Sequence, residues 1–538
     1  MARRALRNPN VMNSRRSAVG GPLPLLSVVV PVGSVGPWFD VALEALRSQT
    51  HRRLEIILVL DGLSSGVTES VRSLSTEDPR IVVLEIGERG GAGNARNTGL
   101  GVATGDFVAF ADADDLVPPA AYERLLAVFT EFGPEIVSGR AEQFTGDGRE
   151  STYWTTDDAL WTTGGTGLRL SDTPQLAFDH TPWNKVFNRT WLLESGVEFP
   201  TGTTCEDVSW WARLAVGARV DVLPEVVYRH RRHDGSVTSG IGRGDDLDDW
   251  LEQTRAAVET YAAHGADGAT EAFGRRLIRR EAWTRVRGIG VLDPVGARLL
   301  ADFVRWIDTW VDETEFDDLS AYPGTAYALL RAKEPGLAAE LVETFDRPAE
   351  DVVMRWRGLA AECERALGPD TERGADLWRE RLFRPVVDAA QRGDPLPVRP
   401  ELVAAFWDEF VGRGLDEHEQ VVLSALRDGA VDDVVFLRRN RRVRATAVRH
   451  RGGLRISMTG LEHPAPGNVV LERDGTRTAV HRGVLSSDTV VSSARPRPGD
   501  RWSVEFTLRD RRIHRVEVAV APSALRRVAA VLRTRSRP

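Results

Sequence analysis

An α/β domain with a mostly parallel sheet, then an α-helical region, then an antiparallel β-sandwich is the architecture this sequence predicts. Three patterns predict it. Between residues 25 and 111, continuous apolar runs alternate with helical spacing. From 245 to 430 the apolar positions recur with period 3.6. From 434 to 521 the period falls to two. The implied divisions are a basic tail at 1–24, the α/β domain at 25–244, a helical linker region at 245–430, a β module at 431–522 and a basic amphipathic helix at 523–538.

The first strand is Leu25-Leu26-Ser27-Val28-Val29-Val30-Pro31, apolar throughout as in a strand covered on both faces. A helix follows at 38–49, with Phe39, Leu43 and Leu46 on one side. The second strand, 54–60, ends at Asp61-Gly62. A helix at 67–74 leads to a third strand at 81–86. Gly90-Gly91 opens a small-residue helix at 92–103, and 106–111 is the fourth strand, ending in Asp112-Ala113-Asp114-Asp115. Strands alternating with helices wind into a right-handed parallel sheet. Ligands of such sheets sit beyond the strands' C-terminal ends, where Pro31, Asp61 and the aspartates all fall.

Three carboxylates within four residues repel one another, and each needs water, a donor or a cation. A divalent ion such as Mg²⁺ or Mn²⁺ is the simplest neutraliser. An acidic turn capping a helix at 118–132 is the plainer alternative. Asp61 in a simple turn and Arg96 on a solvated helix face are likewise the plain readings of those residues. Their coincidence at one sheet edge favours a nucleotide site, with Asp61 on a base or ribose and Arg96 on phosphate.

Residues 25–240 resemble a family-2 glycosyltransferase with a GT-A (Rossmann-like) fold. The matching stretches are Ser27-Val28-Val29-Val30-Pro31, the run from Ile56 to Gly62, Gly93-Asn94-Ala95-Arg96-Asn97-Thr98-Gly99, the run from Phe110 to Asp115, Trp183-Asn184-Lys185-Val186-Phe187, and Glu206-Asp207, in the family's order and spacing. The resemblance implies that Pro31 and Asp61 frame the base, usually uracil, and that Arg96 lies near the diphosphate. It makes Asp112 and Asp114 the D-x-D pair, with Asp114 the direct ligand of Mn²⁺ or Mg²⁺. Trp183 and Lys185 would line the acceptor side, with core packing the plain alternative for Trp183. Asp207 would be the catalytic base with Glu206 in support, where a helix cap would need only one carboxylate. The family often carries Arg three residues before the serine that is Ser236 here. That position is His233, flanked by Arg231 and Arg232, and any of the three could supply the charge. Two further departures are Leu60, where the family often has Asp, and Leu63, where it has Ser.

Short strands are expected at 136–139 and 143–144, then a Thr- and Gly-rich loop over the site at 145–168. A strand around 226–230 leads into the cationic loop. Helices at 245–264, 272–287, 294–311, 326–331, 337–345, 349–367, 371–391 and 400–411 carry no catalytic constellation and read as a spacer. In the β module, Asp474-Gly475 between two alternating runs is a hairpin signal. The order of domains is similar to that of wall-teichoic-acid glycosyltransferases, whose C-terminal β modules trimerise. This implies a homo-oligomer, suspected to be a trimer. The run from Arg438 to Arg444 could hold a polyanion or simply blunt an edge strand. The segment 523–535 suits peripheral membrane contact.

The net charge of −8 argues against nucleic acid as a partner. Two cysteines, Cys205 and Cys363, exclude a disulfide scaffold and a Cys-based zinc site. No run is apolar enough to span a membrane, and 1–24 lacks the apolar core of a secretory signal. The expected location is cytoplasmic, with peripheral contact on the inner face of the membrane. The activity these readings imply is metal-dependent, inverting transfer of a sugar from a nucleotide-sugar, UDP-linked, to an envelope polymer. The acceptor is a teichoic-acid-like polyol phosphate, or in second place a neutral polysaccharide. A nucleotidyltransferase and a non-catalytic oligomeric scaffold are the rivals from other classes.

Overall fold

The computed structural model describes residues 23–346 apart from 130–132, 147–148, 234–245 and 313, scattered positions between 355 and 404, and strand backbones between 444 and 520. Its contacts divide the chain into two units, 1–315 and 316–538. The helices at 247–307 therefore belong with the α/β part.

The first unit is built on a nine-stranded sheet. β1 (Leu26–Val32), β2 (Leu54–Asp61), β3 (Ile81–Ile86) and β4 (Phe107–Phe110) lie in the order β3-β2-β1-β4, all parallel. The two inner strands β1 and β2 are almost wholly buried, which is why their sequences do not alternate. α1 (Phe39–Arg47), α2 (Ser65–Glu77) and α3 (Gly91–Val102) make the crossovers. α3 lies close on the sheet because its small residues permit it: a Cβ on Gly99 would stand 2.4 Å from Val29 Cγ1. Val29 is in register with Phe110 and Val32 with Leu60, so Pro31, Asp61 and Asp112 end at one edge.

Beyond β4 the sheet turns mixed. β8 (Lys185–Asn188) runs antiparallel between β4 and β5 (Ile136–Thr145), β9 (Val220–Arg232) is parallel to β5, and β7 (Gly165–Leu168) closes the edge. The expected α/β domain is thus observed, with three corrections. The two short strands expected near 136–144 are one ten-residue strand. The helix expected at 118–132 is short, α4 (Ala121–Leu126).

The third concerns 145–168, expected as a loop. It contains β6 (Glu150–Thr152), a 3-10 turn at Trp154–Thr156, α5 (Ala159–Thr163) and β7. Thr155 and Thr156 are buried, and Thr156 Oγ1 both accepts from Ala141 N and donates to Ala141 O, each at 3.1 Å. Thr-rich composition misleads there because several of the hydroxyls bond within the protein, Thr156 to β5, Thr155 to Asp179, and Thr162 and Thr163 to Ala159 O.

α6 (Arg189–Glu194) and α7 (Glu206–Ala215) follow, then α8 (Leu247–Ala263), α9 (Asp267–Arg279), α10 (Glu281–Arg287) and α11 (Pro294–Ile307). The single helix expected at 272–287 begins earlier and breaks at Arg280, whose ψ of −76° ends one helix and starts the next. α8 packs on α7 through Ser209 Oγ, which donates to Gln253 Oε1 at 2.5 Å.

In the second unit, helices at Ala321–Arg331, Pro335–Asp346 and Arg384–Arg392 are described. Seven strands between 444 and 520 form one sheet, antiparallel except where Arg444–His450 meets Ile513–Val520. The strands on either side of Asp474-Gly475 pair antiparallel, with Arg473 opposite Thr476. Face-to-face packing as a sandwich, the basic residues 438–443 and the segment 523–535 lie outside the described residues. Among the described residues, no helix is long and apolar enough to cross a membrane.

Candidate active site

The site is assembled where β1, β2 and β4 end. Asp61, 4% exposed, accepts from the backbone N–H of Gly90 at 2.7 Å and of Gly91 at 2.9 Å. It is the anchor that fixes the start of α3 against β2. Gly62 turns away at φ 67°, and a Cβ there would stand 3.0 Å from the main chain of Arg89. Pro31 lies next to it, in register with Val59.

Arg96 is on the inner face of α3, 5% exposed. Its guanidinium meets Asp112 at 3.1 Å on one side and donates a short bond to Glu206 on the other. Burial opposes its charge, but Glu206, Asp112 and Asp207 hold its pKa above the usual arginine value. Arg96, for which the resemblance implies a place near the diphosphate, bridges two acidic segments. Asp112 feels the strain of this arrangement. Its withdrawal from water, against the pull of Arg96 and with Asp115 and Asp114 adding to the rise, pushes its carboxyl up to about 6.

β9 clasps the acidic turn from the other side. Asp112 N–H donates to Tyr228 Oη at 3.0 Å, and Leu116 and Arg229 exchange main-chain bonds. Asp115 accepts from Arg231 N at 2.6 Å and pairs with His230 Nδ1 at 3.1 Å. Asp114, with its side chain 42% exposed, pairs with His233 Nε2 at 3.0 Å. His233, which the resemblance places over the diphosphate, lies beside the aspartates. Arg232 is exposed at the end of β9, Arg231 is buried under Trp38 and Phe144, and Ser236 lies outside the described residues.

The base candidate sits at the first turn of α7. Cys205 precedes it at φ 56°, an unusual left-handed conformation for a side-chain-bearing residue, and turns the chain so that Glu206 and Asp207 open the helix. Thr204 is held by Asp249 of α8 through its N–H at 2.7 Å and its hydroxyl at 3.1 Å. Asp207 Oδ2 accepts from His180 Nδ1 at 3.1 Å. Burial opposes the Asp207 charge, but His180 and then Arg96 hold its carboxyl below the usual range. Burial raises Glu206 despite Arg96.

Trp183 and Lys185 stand behind the site. Trp183 is 6% exposed and stacks on Tyr228, ring centroids 4.3 Å apart, and on His230. Lys185 is 1% exposed, and its Nζ donates to Asp179 at 2.6 Å, Thr181 O at 2.7 Å and Asn184 at 2.9 Å. Both support the residues that surround the site. His180, Asp179, Tyr228 and His230 received no role from the sequence. A histidine and an aspartate preceding the Trp183-Asn184-Lys185 motif were the available signal. The partners of His180, Tyr228 and His230 are 27 to 116 residues away in sequence, while Asp179 is held mainly by the motif that follows it.

A divalent cation fits this donor set in one way. Among the described residues, no group of three His, Cys, Asp or Glu side chains could hold an ion alone. The half-exposed Asp114 carboxylate, with Asp112 two residues before it, fits an ion that takes its remaining oxygens from a diphosphate.

With this geometry established, comparison places the chain among known sequences. Residues 27–196 match the model of Glycosyl transferase family 2. An uncharacterized glycosyltransferase of Escherichia coli, YibD, is 30% identical over 218 residues, covering 40% of this chain and 63% of the relative. An uncharacterized glycosyltransferase of Bacillus subtilis, EpsJ, is 28% identical over 253 residues, covering 46% of this chain and 72% of that one. The match to YibD therefore spans less than two thirds of that protein. A crystal structure of Staphylococcus aureus TarS 1-349 in complex with UDP-GlcNAc superposes with a TM-score of 0.48 at 18% identity, over 60% of this chain and 91% of that one.

Proposed function

We propose that the first unit transfers a sugar, with inversion, from a nucleotide-sugar to a hydroxyl of a cell-envelope polymer. The observation that carries this reading is Arg96. One guanidinium holds Asp112 of the D-x-D turn and Glu206 beside the base candidate, so donor-binding and acceptor-activating carboxylates meet at the C-terminal edge of a parallel sheet. The family match over 27–196 and the two glycosyltransferase relatives support the class of reaction.

In this reading Asp207, kept ionised at neutral pH, takes the proton of the acceptor hydroxyl as that oxygen bonds to the anomeric carbon. The bond from that carbon to the diphosphate oxygen breaks, and a nucleoside diphosphate leaves. Asp114, with Asp112 beside it, would hold a divalent cation, which when bound supplies positive charge against the leaving diphosphate. Arg232 adds positive charge from the β9 side, where His233 lies beside Asp114. Asp61 and Pro31 set the floor on which a base, uracil by preference, would lie. A teichoic-acid-like polyol phosphate suits the basic run at 438–444, and trimerisation through the β module with peripheral membrane contact through 523–535 completes the proposal.

The test is calorimetry with UDP-sugars, a GDP-sugar and a CDP-activated polyol, each with Mn²⁺ and with EDTA. One UDP-sugar should bind, dependent on metal and lost in Asp114→Asn. Asp207→Asn should bind that donor normally and lose roughly 10²–10⁴-fold in turnover, the worth of a general base. Normal turnover in Asp207→Asn rejects the assignment. Release of pyrophosphate in place of a nucleoside diphosphate would point to nucleotidyl transfer.

A further inference from the structure

Behind Asp207 lies a built arrangement that the proposed reaction does not use. His180 donates Nδ1–H to Asp207 Oδ2 at 3.1 Å. The tautomer follows from the partner, since an ionised carboxylate only accepts. The order from solvent inward is set by exposure: the Asp207 side chain is 22% exposed and that of His180 10%. A substrate reaches Asp207 first. His180 Nε2 is buried with no hydrogen-bond partner among the described residues, so the ring has one polar contact and it is the base candidate.

The ring is also held from every side. Its chain neighbours Asp179 and Thr181 belong to a buried cluster. Asp179 accepts from Lys185 Nζ at 2.6 Å, Thr181 Oγ1 at 2.7 Å, Asn184 Nδ2 at 2.8 Å and Thr155 Oγ1 at 2.8 Å. The Trp154 ring lies against the imidazole, centroids 5.6 Å apart. Trp154 is itself held by Arg276 of α9, which donates to its carbonyl and pairs with Asp157 at 3.1 Å. A buried ion pair is a costly way to shape a turn. Here it fixes the backbone on both sides of one histidine.

We propose that His180 is the positioning residue of Asp207: it occupies one carboxylate oxygen, leaves the other for the acceptor hydroxyl, and sets the pH range over which Asp207 is ionised. This deepens, and rests on, the reading of Asp207 as the base. Burial disfavours the imidazolium, but Asp207 of α7, Glu281 of α10 and Asp179 on its own segment together raise the His180 pKa. Among the described residues these three acids have the largest effect on it, while the cations Arg276, on the Trp154 that covers the ring, and Lys185, on Asp179, stand behind its neighbours. A protonated His180 in turn lowers Asp207, so the acidic limb of turnover lies at lower pH than an isolated buried aspartate would give.

Two measurements on the full chain test this. In ¹⁵N-histidine spectra, with the His180 signal assigned by its loss in His180→Asn, the resonance should show a protonated Nδ1 and titrate at lower pH in Asp207→Asn than in the unmutated protein. This needs no substrate. In pH profiles of nucleoside diphosphate release with the bound UDP-sugar and polyol-phosphate fragments, His180→Asn keeps a donor near Nδ1 without the charge. It should retain most of kcat with its acidic limb moved up by about one pH unit. His180→Phe should lose on the order of 10–100-fold in kcat with donor KM unchanged. A His180 titration indifferent to Asp207→Asn, or a His180→Asn profile that superimposes on the unmutated one, overturns the inference. If Asp207→Asn abolishes transfer while both His180 variants behave normally, this proposal fails and the transferase reading stands. If Asp207→Asn turns over normally, that reading fails and takes this one with it.

Discussion

At Asp112 desolvation and an ion pair pull one carboxyl in opposite directions. Arg96 favours its charge, while withdrawal from water and the neighbouring aspartates disfavour it, and the result is a carboxyl near 6. A folded-state value above the unfolded value of about 3.9 means that folding takes up a proton between those limits. The contribution is stabilising below about pH 4 and is lost as pH rises through about 6. Asp112→Asn stays neutral throughout, so in unliganded protein its Tm should improve relative to the unmutated chain between pH 4.5 and 7. Calorimetric scans at the two pH values measure this. A relative loss over that interval would show that the Arg96 pair outweighs desolvation.

At the scale of elements, α3 shows how a small-residue helix serves the site. It carries Arg96, it starts on Asp61, and its glycines let it approach two different surfaces. A Cβ on Gly99 would press on Val29 of β1 at 2.4 Å, and one on Gly93 would stand 2.1 Å from Pro200 O. Gly101, in the same helix, has open space around it. Gly99→Ala should therefore destabilise by about 1–3 kcal/mol through overpacking. Gly101→Ala should stabilise by about 0.5–1 kcal/mol, because alanine loses less backbone freedom in a helix. Urea denaturation of both distinguishes packing from propensity; equal effects of one sign would contradict the account. α7 illustrates the complementary case. Its first turn carries Glu206 and Asp207, and its position comes from α8, through Asp249 on Thr204 and Gln253 on Ser209.

For the whole molecule, the dependence of α7 on α8 matters. The helices at 247–307 belong to the first unit and brace the site; those beyond Phe316 belong to the second. Every described site residue lies before 316, so a chain of residues 1–317 should fold and bind donor with the affinity of the full chain. If the β module drives assembly, the same truncation should abolish oligomers. Sedimentation of both chains checks this. An oligomeric 1–317 chain would place the interface in the first unit. Donor binding lost from a folded 1–317 chain would mean that the second unit contributes to the site.

Much of the fold is legible in the sequence because it rests on periodicity. Uninterrupted apolar runs mark strands covered on both faces, so β1 to β4 and the three crossover helices could be read directly, as could the antiparallel pair of strands around Asp474-Gly475. The acidic turns at Asp112-Asp114-Asp115 and Glu206-Asp207 stand out in the sequence as clusters of like charge, and the structure joins them through Arg96. Strands that depend on distant partners were not. β8 is four residues long and exists because β4 and β5 flank it. In the Thr-rich segment after β5, Thr156 is tied to Ala141 and Thr155 to Asp179, partners that local pattern does not reveal. Which side chains pair within the site was decided by tertiary structure alone. Arg96 meets Glu206 across 110 residues, and His180 meets Asp207 across 27. Local pattern determines which segments are buried; only the folded chain decides which charge each buried group faces, because that depends on distances sequence spacing does not contain.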